Sequence, residues 1–274
     1  MPRFMPGTPI LLVALLAGCA ALPATETGRI EQRRIEYAQI GHGSPVVVFQ
    51  NGLGPSMRNW SKVFPAIGKQ ASVFAYNRPG YGDSDPASTP RDGAHIVDDL
   101  RALLRSRDLS PPYVLVGHSL GGLYMQLFAR KYPDEVAGLV LVDSTHPTQR
   151  EGIDVIERQP WWARLLLRLF VTVALRKEFD AAGPTGQEVL NLPTVTGKPV
   201  RVLSAIDIST SEAVRQANQK RADIARLYPG SRQLWVESGH NIQWDKPDVV
   251  IDAIRDILVT ERRSAIQNID QTAK

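Results

Sequence analysis

Residues Gly117–Gly121 read G-H-S-L-G and lie between a buried, strand-like run and a helix-like run. A serine in this setting occupies a turn too sharp for most residues, so its hydroxyl is lifted clear of the sheet edge and its backbone is strained. The two glycines are required because strand and helix approach too closely for a Cβ. The next N–H, that of Leu120, points out of the helix N-terminus, where a developing oxyanion is stabilised. The pattern predicts Ser119 as a nucleophile.

The N-terminus has the features of an export signal. The apolar run Ile10–Ala17 is too short to span a bilayer as a helix. It leads into Leu16–Cys19, which resembles the lipobox of bacterial lipoproteins and implies an acylated Cys19. We therefore expect a signal peptide at 1–18, a tether at 19–28 and an exported protein, anchored to a bacterial membrane and facing the periplasm or cell exterior. The alternative is an ordinary signal peptide with an incidental cysteine.

From Arg29 onward, strand-like runs alternate with helix-like runs. This order is typical of a mostly parallel sheet with helices on both faces. We expect one domain over 29–262 and a tail over 263–274. Strands are expected at Arg29–Ile40 (a hairpin), Val46–Gln50, Val73–Tyr76, Tyr113–Val116, Leu139–Val142, Val200–Leu203 and Gln233–Val236. Helices are expected at Trp60–Lys69, Ala94–Arg107, Leu123–Lys131, Ser211–Leu227 and Pro247–Val259.

A segment at about 147–196 interrupts this alternation. Its apolar side chains cover more than one helical face, which a simple surface helix does not need. A lid that faces both the core and a ligand cavity does need it, so the segment is interpreted as a helical cap. Trp60, Trp161 and Trp162 are candidates to line a substrate pocket, and the alternative for all three is ordinary packing.

Four segments, in this order and spacing, resemble the α/β-hydrolase superfamily. They are Gln50–Gly54, Arg78–Ser84, the turn at Ser119, and Ser238–His240, and the resemblance extends from about Arg29 to Leu258. It implies an eight-stranded, mostly parallel sheet, a helical cap between strands six and seven, and a serine–histidine–acid triad.

The resemblance also suggests the partners of Ser119. His240 follows the last strand in a loop that returns to the carboxyl edge of the sheet, so it is the candidate general base. The acid of the family usually follows strand seven, which indicates Asp207. Some relatives carry it after strand six, which indicates Asp143. We favour Asp207 and keep Asp143 as the alternative.

The oxyanion hole of the family needs a second N–H from the loop after the first buried strand. Leu53 is the candidate donor, beside that of Leu120. Many relatives have His-Gly in this loop, whereas this chain has Asn51-Gly52. The backbone donor is retained, because the side chain does not bind the oxyanion. Asn51 is also a candidate pocket residue, and Arg78–Ser84 is interpreted as a structural turn.

These features predict a serine hydrolase that cleaves an ester of a small, partly apolar substrate, with amides and thioesters as secondary alternatives. Dehalogenases and epoxide hydrolases of the superfamily carry aspartate in place of Ser119, so the serine favours acyl transfer to water. A cofactor-free perhydrolase, a carbon–carbon bond hydrolase and a non-catalytic ligand receptor are the alternative functions. The sequence has no Cys/His ligand cluster and no phosphate loop, so no metal or cofactor is implied. The net charge of +4 is scattered, which disfavours nucleic acid as a partner.

Overall fold

One eight-stranded sheet organises the protein. The structure, a computed structural model, describes residues 22, 25–149, 172–206 and 212–272. Within these ranges the strand order is β1-β2-β4-β3-β5-β6-β7-β8, and β2 alone runs opposite to the other strands. The strands are β1 Thr25–Ile30, β2 Arg33–Ile40, β3 Val46–Gln50, β4 Val73–Tyr76, β5 Tyr113–His118, β6 Val136–Val142, β7 Val200–Ala205 and β8 Arg232–Val236. The eight-stranded, mostly parallel sheet expected from the sequence is confirmed.

Helices cover both faces of this sheet. Because β3 to β6 lie between two helical layers, every residue in these four strands is buried, as their runs of β-branched and aromatic residues predict. Two apolar clusters form the core, one on each face. The described helices are α1 Phe64–Gly68, α2 Gly93–Ser106, α3 Leu120–Lys131, α4 Val173–Asn191, α5 Glu212–Arg226, α6 Ile242–Asp245 and α7 Pro247–Thr272, with 3₁₀ turns at Met57–Trp60 and Pro133–Glu135.

Two element ends differ from the expectation. Strand β1 begins at Thr25, inside the segment assigned to the tether, because residues 25–30 pair antiparallel with β2. Its polar composition, Thr-Glu-Thr-Gly, gives no strand signal. Helix α7 continues to Thr272 rather than ending at Val259, because the intervening residues contain no glycine or proline to stop it.

The segment between β6 and β7 is helical where it is described. Helix α4 packs on α3 and α2 and buries Glu178 and Val189. Trp161 and Trp162, predicted to lie in the cap, fall outside the described residues, as does Cys19. None of the helices in the described ranges is long and apolar enough to cross a membrane.

Candidate active site

Ser119 lies on a strained turn between β5 and α3. Its backbone has φ 53° and ψ −126°, a conformation that residues other than glycine rarely adopt. A Cβ on Gly117 would lie 2.6 Å from the carbonyl oxygen of Gly121, and a Cβ on Gly121 would lie 2.4 Å from that of Asn51. Both glycines are therefore required by close backbone contacts, as the sequence pattern predicts. The turn holds Ser119 at the carboxyl edge of the sheet, where it is 7% exposed.

His240 and Asp143 form a hydrogen-bonded pair at the same edge. Asp143 follows the end of β6, and its Oδ2 lies 2.7 Å from Nδ1 of His240. Asp143 is 5% exposed, whereas the His240 side chain is 46% exposed. Since Asp143 engages Nδ1, Nε2 is the His240 ring nitrogen that has no hydrogen-bond partner among the described residues. The Ser119 hydroxyl forms no hydrogen bond with His240 or any other described residue.

Asp143 has two further partners. Nε and Nη2 of Arg221 on α5 donate to its two oxygens at 2.7 and 3.0 Å, and the N–H of Ala205 donates to Oδ1 at 3.1 Å. Burial alone would raise the pKa of the Asp143 carboxyl, but the hydrogen bonds from His240 and Arg221 bring it below its ordinary value. The group therefore stays ionised at neutral pH. Asp207, the favoured acid of the sequence analysis, lies outside the described residues.

His118 supports the loop that carries His240. Its Nε2 lies 3.0 Å from the carbonyl oxygen of His240, and the two rings are 4.6 Å apart between centroids. Burial and the neighbouring His240 lower the pKa of His118 to about 4, so its imidazole is neutral at pH 7. A neutral ring then donates Nε2–H to the carbonyl oxygen, which leaves Nδ1 unprotonated.

The loop after β3 packs directly on the turn that holds Ser119. A Cβ on Gly52 would lie 3.1 Å from Cβ of Ser119 and 3.0 Å from Nδ1 of His118, so any larger residue would require these side chains to shift by a few tenths of an ångström. Leu53 follows at once, and Leu120 follows Ser119 at the first position of α3. Neither of these two N–H groups donates to a described residue. The structure thus places Gly52, the residue before Leu53, against the turn that holds Ser119 and Leu120.

Asn51 and Trp60 lie in the core rather than in a pocket. Trp60 is fully buried against Phe49, with 5.0 Å between ring centroids. Its Nε1 donates to Oδ1 of Asn51 at 2.9 Å, while Nδ2 of Asn51 donates to the carbonyl oxygen of Tyr76 at 3.0 Å. With these groups satisfied, Asn51 anchors the start of the loop, contrary to the predicted pocket role of both residues.

Sequence reasoning missed the contacts that Arg221 and Arg78 make. Arg221 lies on a helix that is polar on most of its surface. Its salt bridge to Asp143 at the end of β6 therefore cannot be recognised from the spacing of apolar residues. Arg78 lies in a turn whose glycines and proline explain its shape without reference to a charge. Only the folded chain shows that the Arg78 side chain, which is 1% exposed, reaches the loop after β3.

Known proteins resemble this chain over most of its length. It is 28% identical over 222 residues to the uncharacterized protein YqjL of Bacillus subtilis, covering 79% of this chain and 85% of that protein. It is 26% identical to a haloalkane dehalogenase of Sphingobium indicum, covering 82% and 92%. The crystal structure of a putative lipase from Acinetobacter baumannii superposes with a TM-score of 0.63 at 18% identity, covering 90% and 94%.

The family model of the alpha/beta hydrolase fold matches residues 45–238, a span that runs from the first buried strand to the loop before His240. That span includes the loop after β3, the strained turn at Ser119, Asp143 and the cap segment. A match over this much of the chain, together with the eight-stranded sheet, shows that the protein belongs to the α/β-hydrolase family and is a hydrolase.

Proposed function

We propose that this protein is a serine hydrolase that cleaves an ester of a small, partly apolar substrate through an acyl-serine intermediate. The observation that carries the proposal is the conformation of Ser119. A non-glycine residue at φ 53°, held between two close-packed glycines, presents a hydroxyl at the sheet edge that also carries the Asp143–His240 pair. Such strain persists only where the surrounding structure enforces it, and it is concentrated at functional sites.

In the proposed reaction, Oγ of Ser119 attacks the carbonyl carbon of the ester and its proton passes to Nε2 of His240. The carbonyl oxygen becomes an oxyanion, which receives hydrogen bonds from the N–H groups of Leu53 and Leu120. Collapse of this intermediate expels the alcohol, which takes the proton from His240. Water then attacks the acyl-serine by the same route, releasing the carboxylic acid and restoring Ser119.

Asp143 is the acid in this proposal. Its 2.7 Å hydrogen bond to Nδ1 of His240 fixes the tautomer in which Nε2 can accept the proton of Ser119, and its negative charge stabilises the imidazolium that forms. This is a change from the preference for Asp207. The support is the direct contact of Asp143 and the three donors that keep it ionised and oriented.

The serine at position 119 favours ester cleavage over two other activities found among similar proteins. An alkyl halide or an epoxide calls for a carboxylate nucleophile at this turn, as expected for the dehalogenases and epoxide hydrolases of the superfamily, and a serine does not supply one. Amides and thioesters are the secondary alternatives, since an acyl-serine can form from either. The non-catalytic receptor is the rival function, and turnover separates it from the proposal.

The test is covalent labelling followed by turnover. Wild-type protein is expected to react with a fluorophosphonate probe and to hydrolyse short-chain p-nitrophenyl esters, whereas Ser119→Ala should do neither while keeping its thermal unfolding curve. The loss of turnover should be on the order of 10⁴–10⁶-fold. Ser144→Ala is the matched control, because it removes a nearby serine hydroxyl that accepts a hydrogen bond from Gln126 and makes none with the Asp143–His240 pair. Retained hydrolysis in folded Ser119→Ala would rule the proposal out.

We also propose that the mature protein is a lipoprotein anchored through Cys19 and exported to the periplasmic or outer face of a bacterial membrane. The support is the L-A-G-C pattern after an apolar run, with Cys19 as the only cysteine of the chain. Two or more acyl chains give stable anchoring, whereas one gives only marginal binding. Wild-type protein should incorporate labelled fatty acid and Cys19→Ser should not, with esterase activity unchanged. A mature chain that begins elsewhere and carries no label would indicate ordinary secretion.

A further inference from the structure

The guanidinium of Arg78 holds two consecutive carbonyl groups of the loop after β3. Nη1 donates to the oxygen of Asn51 at 2.6 Å, and Nη2 donates to that of Gly52 at 2.8 Å. In a trans peptide the carbonyl oxygen and the following amide hydrogen point in opposite directions. Fixing the oxygen of Gly52 therefore fixes the N–H of Leu53, which points away from Arg78.

A carboxylate from the cap segment orients this guanidinium. Glu178 of α4 is fully buried, and its oxygens accept from Nε of Arg78 at 3.0 Å and from Nη2 at 2.7 Å. The hydroxyl of Tyr81 donates to the same carboxylate at 3.0 Å, and Arg91 forms a second salt bridge with it. Burial alone would raise the pKa of Glu178, but Arg78 and Arg91 lower it, so the carboxylate is charged at neutral pH.

On its other side, the loop packs against the turn that holds Ser119. Gly52 packs tightly between Ser119 and His118, since a Cβ there would lie 3.1 and 3.0 Å from their side chains. The Gly52–Leu53 peptide is thus held from one side by the hydrogen bond from Nη2 of Arg78 to the Gly52 carbonyl, while Nη1 holds the preceding Asn51–Gly52 peptide, and the loop contacts the turn at Ser119 on the other side. Without Arg78, the carbonyls of Asn51 and Gly52 would lose these partners and the peptide could rotate.

We propose that Arg78 and Glu178 are positioning residues for the oxyanion hole. Glu178 orients Arg78, and Arg78 holds the Gly52–Leu53 peptide with its N–H available to the oxyanion. Seating of α4 on the hydrolase domain is thereby coupled to transition-state stabilisation. This inference rests on the proposed serine-hydrolase function, and it assigns neither residue a contact with substrate.

Arg78→Lys is the most direct test. A lysine keeps the charge that Glu178 needs but lacks the planar fork that reaches two carbonyls and a carboxylate together. Loss of one oxyanion donor costs on the order of 10²–10³-fold in turnover. We expect kcat for a p-nitrophenyl ester to fall about 10²-fold, with KM changed less than about threefold. Affinity for a boronic acid, which mimics the tetrahedral intermediate, should fall in parallel with kcat.

Asp99→Asn is the matched control. It weakens a salt bridge in which an arginine also donates two hydrogen bonds to one carboxylate, but which does not contact the loop after β3. Nη1 and Nη2 of Arg33 donate to Asp99 at 3.0 and 2.9 Å. This variant should lower thermal stability and leave kcat within about twofold of wild type. If Arg78→Lys fails to fold, Glu178→Gln decides the question with the same readouts and an expected loss of at least tenfold in kcat.

The outcomes separate this inference from the proposed function. A wild-type protein that neither reacts with fluorophosphonate nor hydrolyses esters refutes the proposed function. Ser119-dependent hydrolysis that survives Arg78→Lys at near wild-type kcat refutes only the positioning role. An equal loss of kcat in Asp99→Asn would refute it as well, because the effect would then be one of general stability.

Discussion

Two buried carboxylates in this protein, Glu178 and Asp143, each contact two basic side chains, but the surroundings of the two pairs differ. Glu178 contacts Arg78 and Arg91, and all three side chains are almost completely buried. Asp143 contacts Arg221 and His240, and the His240 side chain is 46% exposed. In both cases the partners lower the pKa of the carboxyl below its ordinary value against the opposing effect of burial.

The difference lies in the second partner of each carboxylate. The second partner of Glu178 is Arg91, which is itself almost completely buried, so the Glu178 cluster is enclosed within the fold and holds its groups in place. The second partner of Asp143 is instead a histidine, the residue type most often used to move protons in catalysis, and its side chain is 46% exposed. The comparison suggests that the nature and exposure of the second partner, rather than the buried carboxylate itself, distinguish a candidate catalytic cluster from a structural one.

The largest expected effect tests the Asp143 side of this comparison. Asp143→Asn should lower kcat by about 10⁴-fold, because an amide N–H facing Nδ1 favours the wrong tautomer of His240. Asp207→Asn is the control and should change kcat by less than about tenfold. Esterase assays on both folded variants decide between the two aspartates, and the reverse ranking would restore Asp207 as the acid.

Glu178→Ala should affect folding more than any substitution at Asp143. It leaves Arg78 and Arg91 buried without a counter-charge, and breaking a buried pair in this way costs about 3–5 kcal/mol. Asp143→Asn should cost less, because Arg221 is partly exposed and an amide still accepts hydrogen bonds. Urea unfolding of both variants at pH 7 measures the difference. Equal losses of stability would remove the distinction between a structural and a catalytic cluster.

The sequence was sufficient for the scaffold and for the turn at Ser119. Continuous β-branched runs predict buried parallel strands, and the G-H-S-L-G pattern has few other uses between a strand and a helix. The buried strands and the turn are each determined by residues that are adjacent in the chain, and a sequence pattern records only such local relations. The position of His240 after the last strand follows from the same reasoning.

The sequence was insufficient for contacts between distant elements. Arg78 and Glu178 are separated by 100 positions, and Arg221 and Asp143 by 78. No local pattern marks such pairs, because a charged residue read alone in the sequence is expected at the surface, whereas Arg78, Glu178 and Asp143 are buried. The preference for Asp207 over Asp143 relied on the usual position in the family, whereas the contact with His240 depends on how the ends of β6 and β7 lie beside the last loop.

His118 extends the comparison to a buried titratable group that lacks a carboxylate contact. Its pKa in the folded state is about 4, below the value of 6.5 expected in the unfolded chain. The corresponding stability is complete above pH 6.5 and is lost as the pH falls towards 4, by about 3 kcal/mol in total. His146, with a pKa also lowered to about 4, adds to the same trend. His118→Gln should therefore flatten, without abolishing, the fall in unfolding free energy between pH 7 and pH 4.5, measured by urea titration. A slope identical to that of wild type would mean that His118 accepts its proton within the fold.

Arg221→Met gives the smallest expected effect and the sharpest view of how Asp143 works. The variant removes two hydrogen bonds from the carboxylate but leaves those from His240 and the N–H of Ala205, so Asp143 should keep its contact with Nδ1. We expect kcat to fall about tenfold, equivalent to about 1.4 kcal/mol, because the carboxylate loses orientation rather than charge. Arg226→Met is the matched control, since Arg226 lies on the same helix in an exposed pair with Asp223, and it should change kcat by less than about twofold. If Arg221→Met instead matches the loss of Asp143→Asn, Arg221 is as essential as the carboxylate, and the cluster works as a fixed unit much like that of Glu178.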